Sequence, residues 1–249
     1  MKRIKLEIAY DGTNYCGWQL QPGLPTIEAE LNKALRNLLG EEIIVIGASR
    51  TDSGVHAKGN VAVFDTESRI PAEKICPALN VRLPEDIRVQ SSIEVPENFH
   101  PRKVASRKTY EYRILNRKVA LPTERLYTHF IYYDLDIQAM QKAASYLIGE
   151  HDFKSFCSVK TQVKETVRTI YQLEVSKQGD LIVIAVTGGG FLYNMVRIIA
   201  GTLIEVGRGA IAPEKVKEIL KGCDRELAGP TAPPQGLFLM HIEYDKEYI

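Results

Sequence analysis

The sequence predicts an α+β protein made of two ferredoxin-like halves. Each half runs in the order β-α-β-β-α-β, with a mainly antiparallel sheet and its helices packed on one face. Three observations carry this prediction. Several separated runs alternate apolar and polar residues, the period-2 mark of a half-buried strand. Between them lie stretches whose apolar residues recur every three or four positions, as in an amphipathic helix. The order of these elements then occurs twice within 249 residues, a length suited to one large or two medium domains.

In the first half, Ile4, Leu6, Ile8 and Tyr10 alternate with Lys5, Glu7 and Ala9 and read as a strand that Asp11-Gly12 ends. Thr26 is placed to cap a helix with Ile27, Leu31, Ala34, Leu35 and Leu38 on one face, and Gly40 stops it. Strands are expected at Ile43 to Ile46 and Asn60 to Phe64. A short helix from Pro71 to Asn80 must accommodate Pro77, and Ile87 to Val95 closes the half.

The second half repeats the order with additions. Thr109 to Leu115 reads as a strand with Tyr110, Tyr112 and Ile114 on one face, and Tyr127 to Tyr132 as another. A helix follows through Ile137, Met140, Ala144, Leu147 and Ile148, closed by Gly149. From there a long connection runs to Arg168. Thr169 to Val175 and Asp180 to Val186 form a hairpin around Gln178-Gly179. An apolar helix runs from Leu192 to about Val206, and a short one starts at Pro213 with Gly222 just past its end. The last strand is Leu237 to Tyr244. The boundary falls near His100 to Val104, with Pro96 and Pro101 close by, so the domains are residues 1–103 and 104–249.

Composition narrows the class without naming an activity. Hydrophobic content of 45% and charged content of 25% are ordinary for a water-soluble globular chain. The formal net charge of +1 means that any polyanion must be met by a local patch. One exists in sequence: Arg102, Lys103, Arg107, Lys108, Arg113, Arg117 and Lys118 are opposed nearby only by Glu111. Cys16, Cys76, Cys157 and Cys223 are scattered, with no Cys-x-x-Cys pair, so neither a zinc site nor a disulfide framework is expected. A reducing, cytoplasmic setting fits, and no apolar run suggests a signal peptide or a membrane span.

The stretch most charged with chemistry is Ser49-Arg50-Thr51-Asp52-Ser53-Gly54-Val55-His56-Ala57, between two strand-like runs. Asp-Ser-Gly alone is ordinary turn chemistry. Arg50, Thr51 and His56 add a cation, a hydroxyl and an imidazole, which moves the balance toward a site; for His56 itself a structural hydrogen bond outweighs catalysis. Arg197 lies in the most apolar helix, where it needs an acceptor or an exposed stripe; Glu205 is one candidate partner, a functional carboxylate another. Gly201 beside it admits close backbone approach. Gly188-Gly189-Gly190 lacks the spacing of a nucleotide-binding loop and reads as a turn or a close approach, so no nucleotide cofactor is expected. Tyr15, Trp18 and Gln19 are either base contacts or half-buried loop anchors, with anchoring favoured. His151-Asp152 reads as a local turn.

Arg50-Thr51-Asp52-Ser53-Gly54-Val55-His56-Ala57, Tyr10-Asp11-Gly12-Thr13 with Gly17-Trp18-Gln19, Lys108-Thr109-Tyr110-Glu111-Tyr112, Gly149 with His151-Asp152-Phe153, Phe191-Leu192 with Met195-Val196-Arg197, and Gly236-Leu237 occur in one order along the whole chain. Together they resemble the TruA family of tRNA pseudouridine synthases. Ser49 stands where a Gly is frequent in that family, and Asn60 where Gln is common. The resemblance implies a homodimer that needs no metal, ATP or redox cofactor and isomerises uridine at positions 38, 39 and 40 of the tRNA anticodon stem-loop. It assigns the catalytic carboxylate to Asp52, and an active-site tyrosine to Tyr110. It further implies that Arg197 pairs with Asp52, that Arg50 contacts the stem or its phosphates, and that the active-site cleft lies between the halves. The basic strand and Lys154, Lys160 and Lys164 would then hold phosphates. Two other classes stay open at this point. A non-catalytic RNA-binding protein could present Tyr110 and Tyr112 on its sheet, and a nucleoside glycosidase would need a second carboxylate beside Asp52.

Overall fold

The computed structural model describes residues 1–159 and 163–245. The chain divides into two compact units, Met1–Ser106 with Phe238–Ile249, and Arg107–Leu237. Both are mixtures of helices with a mainly antiparallel sheet. Among the described residues, no helix is long and apolar enough to cross a membrane.

In the first unit, β1 (Lys2–Tyr10) buries Ile4, Leu6, Ile8 and Tyr10, as the alternation dictates. Helix α1 (Ile27–Leu39) starts where Thr26 accepts the Ala29 N–H and ends where Gly40, at φ 70°, turns back to the Arg36 carbonyl. The expected strand Ile43 to Ile46 shrinks to β2 (Ile46–Gly47). Ile43 and Val45 are buried all the same. The Val45 N–H is taken at 3.0 Å by Asn32 Oδ1 from α1, a side-chain acceptor in place of a ladder bond.

Strand β3 (His56–Thr66) is longer than the apolar run alone suggests, because it pairs with β1 all the way from Lys2↔Thr66 to Tyr10↔Ala57. Helix α2 (Ala72–Asn80) forms despite Pro77. Buried Ile75 and Leu79 hold it, and the Asn80 amide clasps both the N–H (2.9 Å) and the carbonyl (2.8 Å) of Val89. Val89 belongs to β4 (Ile87–Val95). The sheet order is β4-β1-β3, with β2 paired to β3 at Ala62–Val63. The Cys76 N–H donates to Ser92 Oγ at 2.8 Å, and Ser92 stands opposite Leu6, so α2 covers the Leu6 face.

In the second unit, β5 (Ser106–Asn116) buries Tyr110, Tyr112 and Ile114 on one face. Strand β6 (His129–Ile131) is shorter than Tyr127 to Tyr132, because the Tyr127 and Thr128 N–H groups close a turn on the Glu124 carbonyl. Helix α3 (Ile137–Ser145) stops short of Ile148, since Tyr146 and Leu147 bond three residues back and tighten the last turn. His151 and Asp152, expected in a turn that opens a long connection, instead form β7 (Gly149–Asp152), paired with β8 (Val167–Gln178). Strand β9 (Leu181–Gly188) completes the hairpin, and the order is β5-β9-β8-β7.

Helix α4 (Met195–Gly207) begins after Asn194, whose left-handed φ of 60° makes the entry. Eleven of its thirteen residues are buried, so it is a core helix and not a surface stripe. Helix α5 (Lys215–Gly222) keeps Gly222, expected just past its end, as its last residue, and Cys223 caps it in the left-handed region at φ 49°. The final strand, β10 (Leu237–Tyr244), pairs in parallel with β3 at Phe238↔His56 and Leu239↔Ala57. It also brings Tyr244 into a cluster with Ala48, Val61, Val63, Val95 and Phe99.

Candidate active site

The Arg50-to-His56 loop of the first unit is braced from beneath by buried polar groups. Tyr10, at the end of β1, places its hydroxyl 2.7 Å from Thr51 Oγ1. Asn60, fully buried on β3, donates its amide to the Tyr10 hydroxyl (3.2 Å) and to the Ser49 carbonyl (3.1 Å). Its own oxygen accepts the Val61 N–H at 2.9 Å. Of the residues on either side of Arg50, Ser49 is thus bonded to the interior amide directly and Thr51 is linked to it through Tyr10, and Asp52 follows directly. A buried network of this kind fixes a loop geometry, because breaking any member strands a desolvated group.

The loop Asp11 to Gln19 braces the same segment from the side. Trp18 N–H donates to the Thr51 carbonyl at 3.0 Å, and Ser53 Oγ and the Gly54 N–H both reach the Tyr15 carbonyl. A Cβ on Gly17 would come within 2.7 Å of the Thr51 carbonyl oxygen, at a φ of +91°, so only glycine allows this approach. Tyr15 and Trp18 are buried anchors, as expected, and Tyr15 bonds Asp86 Oδ1 at 2.6 Å. That carboxylate and burial hold the Tyr15 phenol above its ordinary range, with burial the larger cause. Gln19 is exposed.

Within this frame Asp52 is half-buried and Arg50 is exposed. The Val55 N–H closes a turn on the Asp52 carbonyl at 3.2 Å, with Gly54 at φ +75°. The turn read from Asp-Ser-Gly is therefore present, formed by backbone atoms, and it leaves the Asp52 carboxylate out of the turn's own hydrogen bond. His56 has the structural role expected of it. It is buried, accepts the Gly12 N–H at Nδ1 (3.1 Å) and stacks on Phe238 at 4.7 Å.

In the second unit, Tyr110 is buried to 8% exposure and meets Phe191 edge-on at 5.2 Å. Tyr112, two positions on, is fully buried and donates to the Pro233 carbonyl at 2.9 Å. Burial pushes the Tyr112 phenol far above its usual range, and the positive field of Arg197 opposes part of that rise. Neither ring forms an open platform of the kind an RNA-recognition sheet presents.

Arg197 is half-buried on α4. Its Nε donates to the Ala232 carbonyl at 2.7 Å and one terminal nitrogen to Asn194 Oδ1 at 3.0 Å. Glu205 is engaged by Arg208 at 2.8 Å. The Ala232 carbonyl reaches Arg197 because Gly201 lets the segment Pro230 to Ala232 lie on the helix. A Cβ at Gly201 would fall 1.8 Å from the Pro230 oxygen. Gly201 thus admits a close backbone approach, as its position in the sequence suggested, and that approach orients the arginine.

The basic patch of the sequence is partly neutralised in the fold. Arg113 pairs with Glu111 (2.9 Å), Arg117 with Asp180 (3.4 Å) and Lys118 with Asp134 (3.4 Å). Arg102, Lys103 and Arg107 are exposed, as are Lys154 and Lys164. Lys160 lies outside the described residues. Burial first, then Lys103 and Arg102, hold His100 below its usual range.

Comparison with known proteins decides the family. The model of the tRNA pseudouridine synthase family matches residues 7–102 and 143–245, spanning the Asp52 loop and α4. The chain belongs to the tRNA pseudouridine synthase family. It is 51% identical to tRNA pseudouridine synthase A of Thermoanaerobacter sp. (strain X514), over 98% of this chain and 100% of that protein. It is 49% identical to the protein of the same name from Brevibacillus brevis, with the same coverage. Pseudouridine synthases are isomerases, and so is this one.

Two parts of this candidate site escaped the sequence reading. The Tyr10–Asn60–Thr51 network joins residues up to 50 positions apart, and the only hint was a polar Asn60 in an otherwise apolar strand. The Pro230 to Ala232 strip left no mark beyond Gly201, since a carbonyl acceptor comes from any residue type.

Proposed function

We propose that this chain is a tRNA pseudouridine synthase acting at positions 38, 39 and 40 of the anticodon stem-loop, with Asp52 as the catalytic carboxylate. The observation that carries the reading is the loop itself. Its only carboxylate, half-buried Asp52, sits on backbone locked from beneath by Asn60 and Tyr10 and from the side by Trp18. Such bracing pre-organises a reacting group.

The reaction breaks the N1–C1′ bond of uridine, turns the base, and forms a C5–C1′ bond. The proton on C5 is lost and N1 is protonated, so the net change is an isomerisation. A carboxylate serves as nucleophile or as base at the ribose or the base ring. On this reading Tyr110 contacts the uracil and relays the C5 proton, Arg197 keeps Asp52 ionised, and Arg50 meets the stem or its phosphates. A stacked target base must be flipped out of the stem to reach them. The functional division is then residues 1–103, carrying Asp52, and 104–249, carrying Tyr110 and Arg197, each half ferredoxin-like, with the last strand, Phe238 onward, joining the first compact unit instead of the second. The observed order β4-β1-β3 with β2 beyond β3 supports this for the first half. The family resemblance supports a cytoplasmic homodimer, which light scattering on the purified chain would check.

The test is Asp52→Ala, assayed by tritium release from C5-labelled uridine in tRNA. The reading requires loss of activity in a folded variant, and full activity would sink it. Nucleoside analysis of the treated tRNA separates the classes: pseudouridine supports the isomerase, free uracil a glycosidase, and no change a binding protein.

A further inference from the structure

The glycine run Gly188-Gly189-Gly190 and the aromatic side chain it touches are not used by the reading above. The pairing of β8 with β9 shifts register between Ile170 and Gln172, which makes Tyr171 the extra residue of a bulge. A bulge re-aims a side chain, and Tyr171 turns outward to 48% exposure between buried Ile170 and Leu173. Its hydroxyl lies close over Gly189, where a Cβ would be 3.1 Å away. The Arg107 guanidinium covers the ring at 5.0 Å from its centroid, well within the range of a cation–π contact. Arg107 is itself exposed. Arg168, tied to the Glu165 and Val167 carbonyls, lies beside Gly190.

The strand register places all of this at one end of the sheet. Lys108 and Ile170 both face Gly188, and β7 ends opposite Val167. Lys154 and Lys164 flank the same end. The acids there are Glu150, Asp152 and Glu165. Asp152 is occupied by Thr166 Oγ1 at 2.6 Å and the Lys154 N–H at 3.0 Å. Glu165 accepts the Val167 N–H at 3.0 Å. Among the described residues, this end therefore carries the cations Arg107, Lys108, Lys154, Lys164 and Arg168 against the carboxylates Glu150, Asp152 and Glu165, the last two of which accept hydrogen bonds.

We propose that Arg107, held over the ring of Tyr171 whose hydroxyl rests at the glycine run, is a phosphate clamp for the RNA backbone of the substrate. An exposed arginine normally gives up much side-chain entropy when it grips an anion. Here the ring holds the guanidinium in place beforehand, and Gly189 is the small residue that lets the ring lie down. Phe191, directly after the run, touches Tyr110, so the clamp adjoins a residue assigned to uracil contact. Tyr171 is a positioning residue in this account, and Arg107 makes the contact.

The inference rests on a tRNA substrate, but its test does not need turnover. The dissociation constant of an unmodified tRNA transcript is measured over a series of salt concentrations for wild type, Arg107→Ala, Tyr171→Leu, Tyr171→Phe and the Arg107→Ala/Tyr171→Leu double variant. Arg107→Ala should weaken binding roughly three- to tenfold and lower the slope of log K against log salt by about one. Tyr171→Phe should bind as wild type does. Tyr171→Leu should lose part of the Arg107 effect, and the double variant should be no worse than Arg107→Ala. An unchanged slope in Arg107→Ala would overturn the clamp. Additive losses in the double variant would also overturn it, because Tyr171 would then be stacking on a base by itself. Pseudouridine formation by the wild type is scored separately, so failure of the isomerase reading would leave the salt comparison intact.

Discussion

Replacing Tyr10 by Phe removes one oxygen from beneath the Asp52 loop and leaves the ring in place. Tyr10 is only 4% exposed, so water does not readily substitute for the lost hydroxyl. Thr51 Oγ1, also buried, loses its 2.7 Å partner, and one N–H of the Asn60 amide loses its 3.2 Å acceptor. The other Asn60 contact, to the Ser49 carbonyl, survives. Each buried group left unsatisfied costs about 1–3 kcal/mol, and the Asn60 nitrogen is only partly stranded. The expected loss is therefore about 2–3 kcal/mol, or a fall in Tm of roughly 4–12 °C for a chain of this size. Thermal melting of the full chain followed by circular dichroism reads it. Adding Thr51→Val removes the stranded hydroxyl too, so the double variant should be at least about 1 kcal/mol more stable than the sum of the single losses. A Tyr10→Phe protein within about 0.5 kcal/mol of wild type, or strict additivity with Thr51→Val, would refute the network as the support of the loop.

Gly201→Ala puts a methyl group 1.8 Å from the Pro230 oxygen, so the strip must lift and withdraw the Ala232 carbonyl from Arg197. Destabilisation of about 1–3 kcal/mol is expected, together with loss of pseudouridine formation, read by urea unfolding and tritium release. Tyr110→Phe should keep tRNA affinity and lose most turnover, and wild-type turnover would show that the hydroxyl is not needed. Arg197→Met should move the acid limb of the pH–rate profile upward if Arg197 holds Asp52 ionised, whereas an unshifted limb argues against the pair. Asp65 is held below the usual carboxylate range, first by its 2.7 Å hydrogen bonds to Arg3. A depressed folded value means stability that is present above the unfolded pKa and lost as pH falls through the folded one. Asp65→Asn should therefore flatten the acid limb of the stability–pH curve and leave it unchanged in shape above neutrality.

Local chemistry explains what could be read along the chain. The strands that run along an alternating apolar face appeared almost residue for residue, as at Ile87–Val95 and Leu237–Tyr244. Helix α1 could be bounded because Thr26 and Gly40 are terminators that act through their own neighbours. Misreadings came where a distant group intervened. Asn32 diverted the Val45 N–H, and β8 recruited residues 149–152 into a strand. Neither event leaves a trace in the local pattern.

The sequence by itself determined where groups with the capacity for chemistry stand along the chain. A carboxylate with a cation, a hydroxyl and a glycine in one loop, and an arginine in an apolar helix, are readable because residue type sets charge and hydrogen-bonding capacity. Tertiary structure alone decided how those groups are held. Asn60 anchors Ser49 directly and Thr51 through Tyr10, the backbone admitted by Gly201 aims Arg197, and a one-residue bulge turns Tyr171 toward Arg107. Each depends on backbone atoms or on pairing across tens of residues. Since every residue carries nearly the same backbone donor and acceptor, only the fold selects which of them meet.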